Sequence, residues 1–232
     1  MTSNVVIITG ASRGIGLATA ERFSRAGYRV FLAARDKAAL AQAERRVTSS
    51  GGEAASIAVD LAQRDGAGRL VEAAMKRFGS VGVLVCNAGL APLHAIRDET
   101  DETYQATLAI NVDAVFRLTR AIWPTFQQQR GGVIVNISSV ASIDPFPGFA
   151  VYGACKAWVN LFSRAAAAEG KADGIRVYAV APGAVETDML RQHFPDFPAA
   201  ATLAPAEVAE TVFACTQPAM ANSSGETIFV RK

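Results

Sequence analysis

The chain alternates short, continuous apolar runs with longer stretches in which apolar residues recur at helical spacing. Seven runs have strand character: Val5–Thr9, Arg29–Ala33, Ala54–Val59, Val83–Cys86, Val133–Ser138, Arg176–Val180 and Thr227–Val230. They are rich in Val, Ile and Ala without polar alternation, the pattern of strands covered on both faces. Amphipathic segments lie between them. Ile15–Ala26 puts Ile15, Ala18, Phe23 and Ala26 among its apolar positions, Lys37–Ser49 is rich in Ala, Gln, Glu and Arg, and Gln63–Phe78 follows. Such alternation predicts an α/β fold, a doubly wound parallel sheet of about seven strands with helices on both faces. Gly51-Gly52, Gly131-Gly132 and Asp173-Gly174 mark turns shortly before three of the strands. No repeat or low-complexity linker interrupts the pattern, and 232 residues suit a single domain over 1–232. Pro195–Ala201 is the loosest segment and reads as a loop or short lid within that domain.

Composition narrows the function classes. Half the residues are apolar, enough for a sizeable core. The net charge of +2 argues against a dedicated nucleic-acid surface. Cys86, Cys155 and Cys215 are widely spaced with no Cys-x-x-Cys pair, so neither a metal site nor a disulfide framework is expected. A cytoplasmic location follows by default. Val5-Val6-Ile7-Ile8 has no basic segment before it and no cleavage-type sequence after it, and is too short to span a bilayer. It reads as a buried strand, not as a targeting signal or a membrane segment.

The first strand runs into Thr9-Gly10-Ala11-Ser12-Arg13-Gly14-Ile15-Gly16, which opens the first helical segment. Glycines there allow a sharp turn and close approach of a ligand, and the free N–H groups of a helix N-terminus favour a pyrophosphate. The spacing is Gly-x-x-x-Gly-x-Gly, different from the common Gly-x-Gly-x-x-Gly fingerprint. Its position after the first strand nevertheless predicts a dinucleotide cradled by Gly10, Ser12, Arg13, Gly14, Ile15 and Gly16. The second strand ends Ala33-Ala34-Arg35-Asp36, with neutral Ala34 where an NAD-binding site offers a carboxylate. Arg35 is therefore read as a clamp for the 2′-phosphate of NADP(H), with Arg13 within reach of the same group. Asp36 either opposes the phosphate or caps the following helix.

With these features in place the sequence resembles the short-chain dehydrogenase/reductase family over nearly its whole length. The resemblance rests on Thr9-Gly10-x-x-x-Gly14-x-Gly16, Asp60-Leu61, Asn87-Ala88-Gly89, Asn111, Ser139, Tyr152-x-x-x-Lys156 and Pro182-Gly183, all in order. It implies a Rossmann fold, NADP(H) as cofactor, and hydride transfer to or from a carbonyl carbon. Asn111, Ser139, Tyr152 and Lys156 would form the catalytic set. Ser139 stands thirteen positions before Tyr152, the family's spacing, while the competing Ser138 is off by one. Tyr152 and Lys156 are four apart, so a helix places them on one face. An adjacent ammonium is expected to lower the tyrosine pKa and poise it as general acid-base. Ser139 would polarise the substrate oxygen. By resemblance, Lys156 also holds the nicotinamide ribose, and Asn111 positions Lys156 and a water. Asp60 and Leu61 would contact the adenine. Asn87, Ala88 and Gly89 would line the cofactor cleft, with Asn87 alternatively a brace. Pro182, Gly183, Val185 and Thr187 would meet the nicotinamide.

Several features depart from members that reduce acyl thioesters. Asp188–Thr202 is short, no Arg-x-Gly turn precedes Ala204-Pro205, and no Asp-Gly-Gly ends the chain. The expected substrate is a small hydrophobic ketone, aldehyde or the matching alcohol, walled by Leu90, Leu93, Ile143, Phe146, Phe149, Met189, Phe194 and Phe197. A 3-oxoacyl-thioester reductase and a non-catalytic NADP(H)-binding sensor are the alternatives. His94 and His193 receive no role. The family pairs two helices across a two-fold axis, here about Val112–Gln128 and Tyr152–Gly170, with Phe116, Ile122, Ala165 and Ala168 on the shared face. A homodimer or homotetramer is therefore expected.

Overall fold

The structure, a computed structural model, describes residues 3–49 and 51–232. Seven strands form one parallel sheet: β1 (Val5–Thr9), β2 (Arg29–Ala34), β3 (Ala54–Ala58), β4 (Val83–Cys86), β5 (Gly132–Ile137), β6 (Ile175–Pro182) and β7 (Thr227–Val230). Their order is β3-β2-β1-β4-β5-β6-β7. Among the described residues eight α-helices connect or flank them: α1 (Gly14–Arg25), α2 (Lys37–Ser49), α3 (Gly66–Phe78), α4 (Asp101–Leu108), α5 (Ala114–Gln129), α6 (Ala150–Gly170), α7 (Asp188–His193) and α8 (Pro205–Thr216). The seven strands, the parallel sense and the single sheet agree with the sequence pattern.

Alternate strand residues feed two separate cores, which explains the unbroken apolar runs. Val5, Ile7, Phe31, Leu84, Ile134 and Val177 face α3, α5 and α6. Val6, Ile8, Val30, Leu32, Val83, Val135 and Val180 face α1, α2 and α8. Each face removes large aliphatic side chains from water, at roughly 25 cal/mol per Å² of apolar surface. Boundaries differ from the sequence reading by a few residues. β6 is longer because its two neighbours extend the ladder, with Gly132 opposite Ile175 and Pro182 opposite Val230. α3 begins later than Gln63, because the Asp60 carboxylate accepts from Ala62 N at 3.0 Å and the backbone turns at Gln63 before helix can start.

The sheet order positions the site. After β1 the chain moves outward to β2 and β3, then crosses back to place β4 on the other side of β1. The carboxyl ends of β1 and β4 therefore diverge, and open α/β sheets leave a ligand crevice at such a reversal. One local feature went unanticipated. Between α4 and α5 the helix widens into a π-turn over Ala109–Asp113, with Asn111 at its centre. Such bulges recur at functional sites.

Candidate active site

The glycine turn sits at that reversal. Gly10 has φ +63, and a Cβ at Gly16 would fall 2.2 Å from the Gly10 carbonyl oxygen, so both positions require glycine. Arg13 precedes α1 in extended conformation, and no side chain caps the helix. Its first N–H groups thus lack side-chain acceptors, the condition for anion binding. Asn87 braces the turn. Its Nδ2 donates to the carbonyls of Thr9 (2.9 Å) and Gly10 (3.1 Å), while the Thr9 hydroxyl accepts from Asn87 N and Ala88 N. These are the bonds of the bracing alternative. Ser12 and Ile15 flank the same turn.

The second strand ends as the sequence suggests, with Arg35 exposed beyond Ala34. Asp36 turns into the start of α2, where its Oδ1 accepts from Ala38 N (2.9 Å) and Ala39 N (3.0 Å). Arg13 points elsewhere than expected. Its Nη1 lies 3.6 Å from Asp188 Oδ2, across the groove and close to where Gly14 faces Thr187. Leu61 is buried and Asp60 half-buried, just after β3.

Ser139, Tyr152 and Lys156 converge at the carboxyl ends of β5 and β6. Ser139 is extended just after β5, its Oγ accepting from Ala141 N at 3.1 Å and lying close enough to the Tyr152 hydroxyl to favour its ionised form. Ser138 points the other way and donates to the Lys156 carbonyl at 3.1 Å. The two serines are thus distinguished by strand alternation. Lys156 is buried, with Nζ donating to the Ile137 carbonyl at 2.8 Å and lying 5.5 Å from the Tyr152 ring centroid. Asn111 is fully buried and holds the loop after β4: Nδ2 donates to Leu90 O (2.7 Å) and Thr107 O (3.0 Å), and Oδ1 accepts from Leu90 N. A Cβ on Gly89 would come within 3.0 Å of Asn111 Oδ1 and 3.7 Å of Lys156 Nζ, so these three residues meet at one spot.

The electrostatic balance differs from the sequence expectation. Burial pushes the Tyr152 phenol up to about 12, against a smaller lowering by the Ser139 hydrogen bond. Burial likewise draws Lys156 down to about 8. The Lys156 ammonium is directed at the Ile137 carbonyl, so desolvation outweighs its pull on the phenol. Tyr152 therefore holds its proton at neutral pH. All three cysteines are free and buried, and burial raises each thiol, to about 12 for Cys86 and Cys215. They are weak nucleophiles in this setting.

An aromatic wall stands beside Tyr152. Phe149 lies 5.3 Å from it, with Phe194 at 6.1 Å and His193 at 6.3 Å from Phe149, and Phe146 packs on both phenylalanines. Leu93 joins through Gly148, whose Cβ would fall 2.7 Å from Leu93 Cδ1. Leu90, Ile143 and Met189 are exposed. His193 was not singled out by sequence, because a lone histidine carries no spacing signal. Pro182 is buried at the end of β6, and Gly183 N donates to Val230 O at 2.9 Å. Val185 bridges to Leu203, and the Thr187 hydroxyl donates to Val185 O and caps α7 by accepting from Leu190 N. No helix among the described residues is long and apolar enough to cross a membrane.

Comparison with known proteins agrees with this arrangement. The profile of the short chain dehydrogenase family matches residues 4–197. A 3-oxoacyl-(acyl-carrier-protein) reductase of Synechocystis sp. is 35% identical, over 99% of this chain and 96% of that protein. A variant actinorhodin polyketide ketoreductase, solved with NADPH, superposes with a TM-score of 0.94 at 31% identity, covering 100% of this chain and 98% of its own. The L-sorbose reductase of Gluconobacter frateurii, solved with NADPH and L-sorbose, gives 0.92 at 29% identity, covering 100% and 96%. Glycine turn, sheet order, the meeting of Ser139, Tyr152 and Lys156, and these likenesses together make the chain a member of the short-chain dehydrogenase/reductase family of oxidoreductases.

Proposed function

We propose that the protein is an NADP(H)-dependent reductase of compact, hydrophobic carbonyl compounds, with Tyr152 as general acid-base. The observation that carries this reading is the meeting of the Ser139 and Tyr152 side chains beside buried Lys156, whose Nζ lies 5.5 Å from the Tyr152 ring, next to the glycine turn. The residues present fit the cofactor. Gly10 and Gly16 let the turn pack tightly on itself and on Asn87, which brings the uncapped start of α1 to the ligand side, and Arg35 is exposed at the end of β2. Ser12, Arg13, Ile15, Asp60, Leu61, Asn87, Ala88, Gly89, Pro182, Gly183, Val185 and Thr187 would line the rest of the groove, with Tyr152 and Lys156 at its nicotinamide end. The chemistry NADP(H) supplies there is hydride exchange. Both solved neighbours described above carry NADPH, which supports the choice.

Ser139 donates to the substrate carbonyl oxygen and holds it near the Tyr152 hydroxyl. Tyr152 delivers its proton to that oxygen as negative charge develops on it. Lys156 keeps a positive charge beside the phenolate that results. Asn111 fixes the loop after β4 and the π-turn, so the floor beneath Lys156 stays in place. The wall of Phe146, Phe149 and Phe194 excludes water and favours an apolar substrate.

A second reading, reduction of 3-oxoacyl thioesters, is favoured by the near full-length similarity to the Synechocystis reductase and by the polyketide ketoreductase fold match. NADPH oxidation measured against small ketones, diketones, quinones and acyl thioesters separates the readings. Turnover of a small apolar ketone at kcat/KM above that of any thioester is the expected result. A thioester preferred over every free ketone moves the assignment to the second reading. Tight cofactor binding with no turnover on any compound overturns both in favour of a sensor.

The protein is further proposed to be a homodimer or homotetramer through α5 and α6. Phe116 is 43% and Leu161 69% exposed, and Trp158 stacks on Phe162 with centroids 4.6 Å apart. A cavity of about 400 Å³ between the helices is lined by Phe116, Trp123 and Phe162. Ile122, assigned to this face from sequence, is fully buried toward the sheet instead. Exposed Phe116 and Leu161 beside the half-buried Trp158–Phe162 stack on two adjacent helices point to a covered face. Light scattering at micromolar concentration should give a dimer or tetramer, and Phe116→Glu with Leu161→Glu should reduce it to monomer. A monomeric wild type overturns this assembly.

A further inference from the structure

Pro195–Ala201 reads from sequence as the loosest part of the chain, yet one side chain ties it down. Arg191, on α7, meets Glu186 with both arms of its fork: Nε to Oε1 at 2.7 Å and Nη2 to Oε2 at 2.5 Å. Its remaining Nη1 donates to the carbonyls of Pro195 (2.9 Å) and Phe197 (2.6 Å). Thr202 closes the ring from the far side, its hydroxyl 3.3 Å from Glu186 Oε2 and 2.7 Å from Ala199 O. Glu186 is itself anchored, because Glu186 N donates to Leu203 O and Leu203 N to Ala184 O. A single guanidinium thus joins the end of the β6 loop, α7 and the returning segment.

Beyond the local turn bonds of Phe197 N to Phe194 O, Ala201 N to Pro198 O and Thr202 N to Ala199 O, little else holds the segment. Pro195, Asp196, Pro198, Ala199, Ala200 and Ala201 are exposed, so few apolar contacts oppose local opening. Paired hydrogen bonds between guanidinium and carboxylate are directional as well as charged, which a lysine does not reproduce. The Glu186 carboxyl is held below its usual range, chiefly by the Arg191 hydrogen bond. Just beyond Arg191 the chain carries His193 and Phe194 onto Phe149, which packs on Tyr152. What fixes Arg191 therefore fixes the wall beside the proton donor.

We propose that Arg191 is a positioning residue: by gripping Glu186 and the Pro195 and Phe197 carbonyls it holds the α7 lid folded, and the placed Phe194 and His193 restrict the site to compact carbonyl substrates. This rests on the reading of Tyr152 as proton donor to a carbonyl. Arg191 touches no reacting atom, so its loss acts on substrate fit and lid order before it acts on the chemical step.

The test uses Arg191→Met, which keeps the stem and removes the fork, with Arg191→Lys and Glu186→Ala alongside. In the free protein, backbone hydrogen exchange through residues 188–203 should rise about tenfold or more in all three. KM for a small apolar ketone should rise about tenfold while kcat stays within about threefold, and discrimination against bulky ketones should narrow. NADPH binding, followed by fluorescence, should persist and shows that each variant is folded. Should Arg191→Met fail to fold, Glu186→Ala decides. Wild-type exchange in Arg191→Lys overturns the role of the fork, and unchanged exchange and KM in Arg191→Met or Glu186→Ala overturn the proposal. If the wild type reduces no carbonyl, the functional reading falls and the exchange result alone decides the clamp.

Discussion

Tyr152→Phe is expected to lower carbonyl reduction by about a hundredfold or more, the usual cost of removing a positioned general acid, while NADPH still binds. The substitution deletes one oxygen from a ring held by Phe149 and leaves the fold's packing unchanged. Its partner Ser139 keeps the bond from Ala141 N, so the change is confined to the donated proton. Near-normal turnover in the mutant would remove Tyr152 from the mechanism. The wild-type pH profile is a second readout. Below about 8 Lys156 carries its charge, and Tyr152, raised to about 12, is protonated throughout the working range. Reduction should therefore be fast at neutral pH and fall as pH rises through about 8, where Lys156 loses the charge that supports the forming phenolate. A reduction rate that instead climbs across that range would contradict the assigned roles.

Cofactor choice gives the other large effect. The protein should bind NADPH very roughly a hundredfold more tightly than NADH, from charge-assisted bonds worth about 1.5–3 kcal/mol each when shielded and less at an exposed rim. Arg35 stands free beyond neutral Ala34 to make them. Asp36 is committed to the α2 N-terminus through Ala38 N and Ala39 N, which takes its charge away from the ribose side. Arg13 starts in a loose pair with Asp188, both side chains 77% exposed, and an exposed pair of this kind gives way at little cost. Arg35→Ala should weaken NADPH by about tenfold or more and leave NADH nearly unchanged, since NADH has no phosphate to lose. Titration of both cofactors into both proteins measures this. Equal wild-type affinities, or equal losses in the mutant, would show that Arg35 does not read the phosphate.

Much of the architecture was legible in the residue order because it depends on short-range periodicity. Continuous Val and Ile runs require cover on both faces, and only a parallel sheet between helix layers supplies it. The glycine turn was legible for a similar reason: Gly10 and Gly16 leave no room for a Cβ, a constraint local to a few residues. Tyr152 and Lys156 share a helix, so their common face follows from spacing. Ser139 was separable from Ser138 by its thirteen-residue distance to Tyr152, and the structure turns the Ser138 hydroxyl to the Lys156 carbonyl instead.

Other properties depend on which distant groups meet. The pKa balance at Tyr152 and Lys156 is set by burial, which raises the phenol where the lysine was expected to lower it. Arg13 was placed by its meeting with Asp188, far along the chain, and Ile122 was turned inward by packing against the sheet. Arg191 and Glu186 are near in sequence, yet nothing in their spacing announces a clamp, because the loop between β6 and α7 has no period from which side-chain direction can be read. Periodicity and spacing therefore predicted the sheet and the glycine turn, and the resemblance to the family named the candidate chemical residues. The electrostatic state of those residues, and the order of the lid beside them, were decided by tertiary contacts, since desolvation and hydrogen-bond convergence arise only once the elements are packed together.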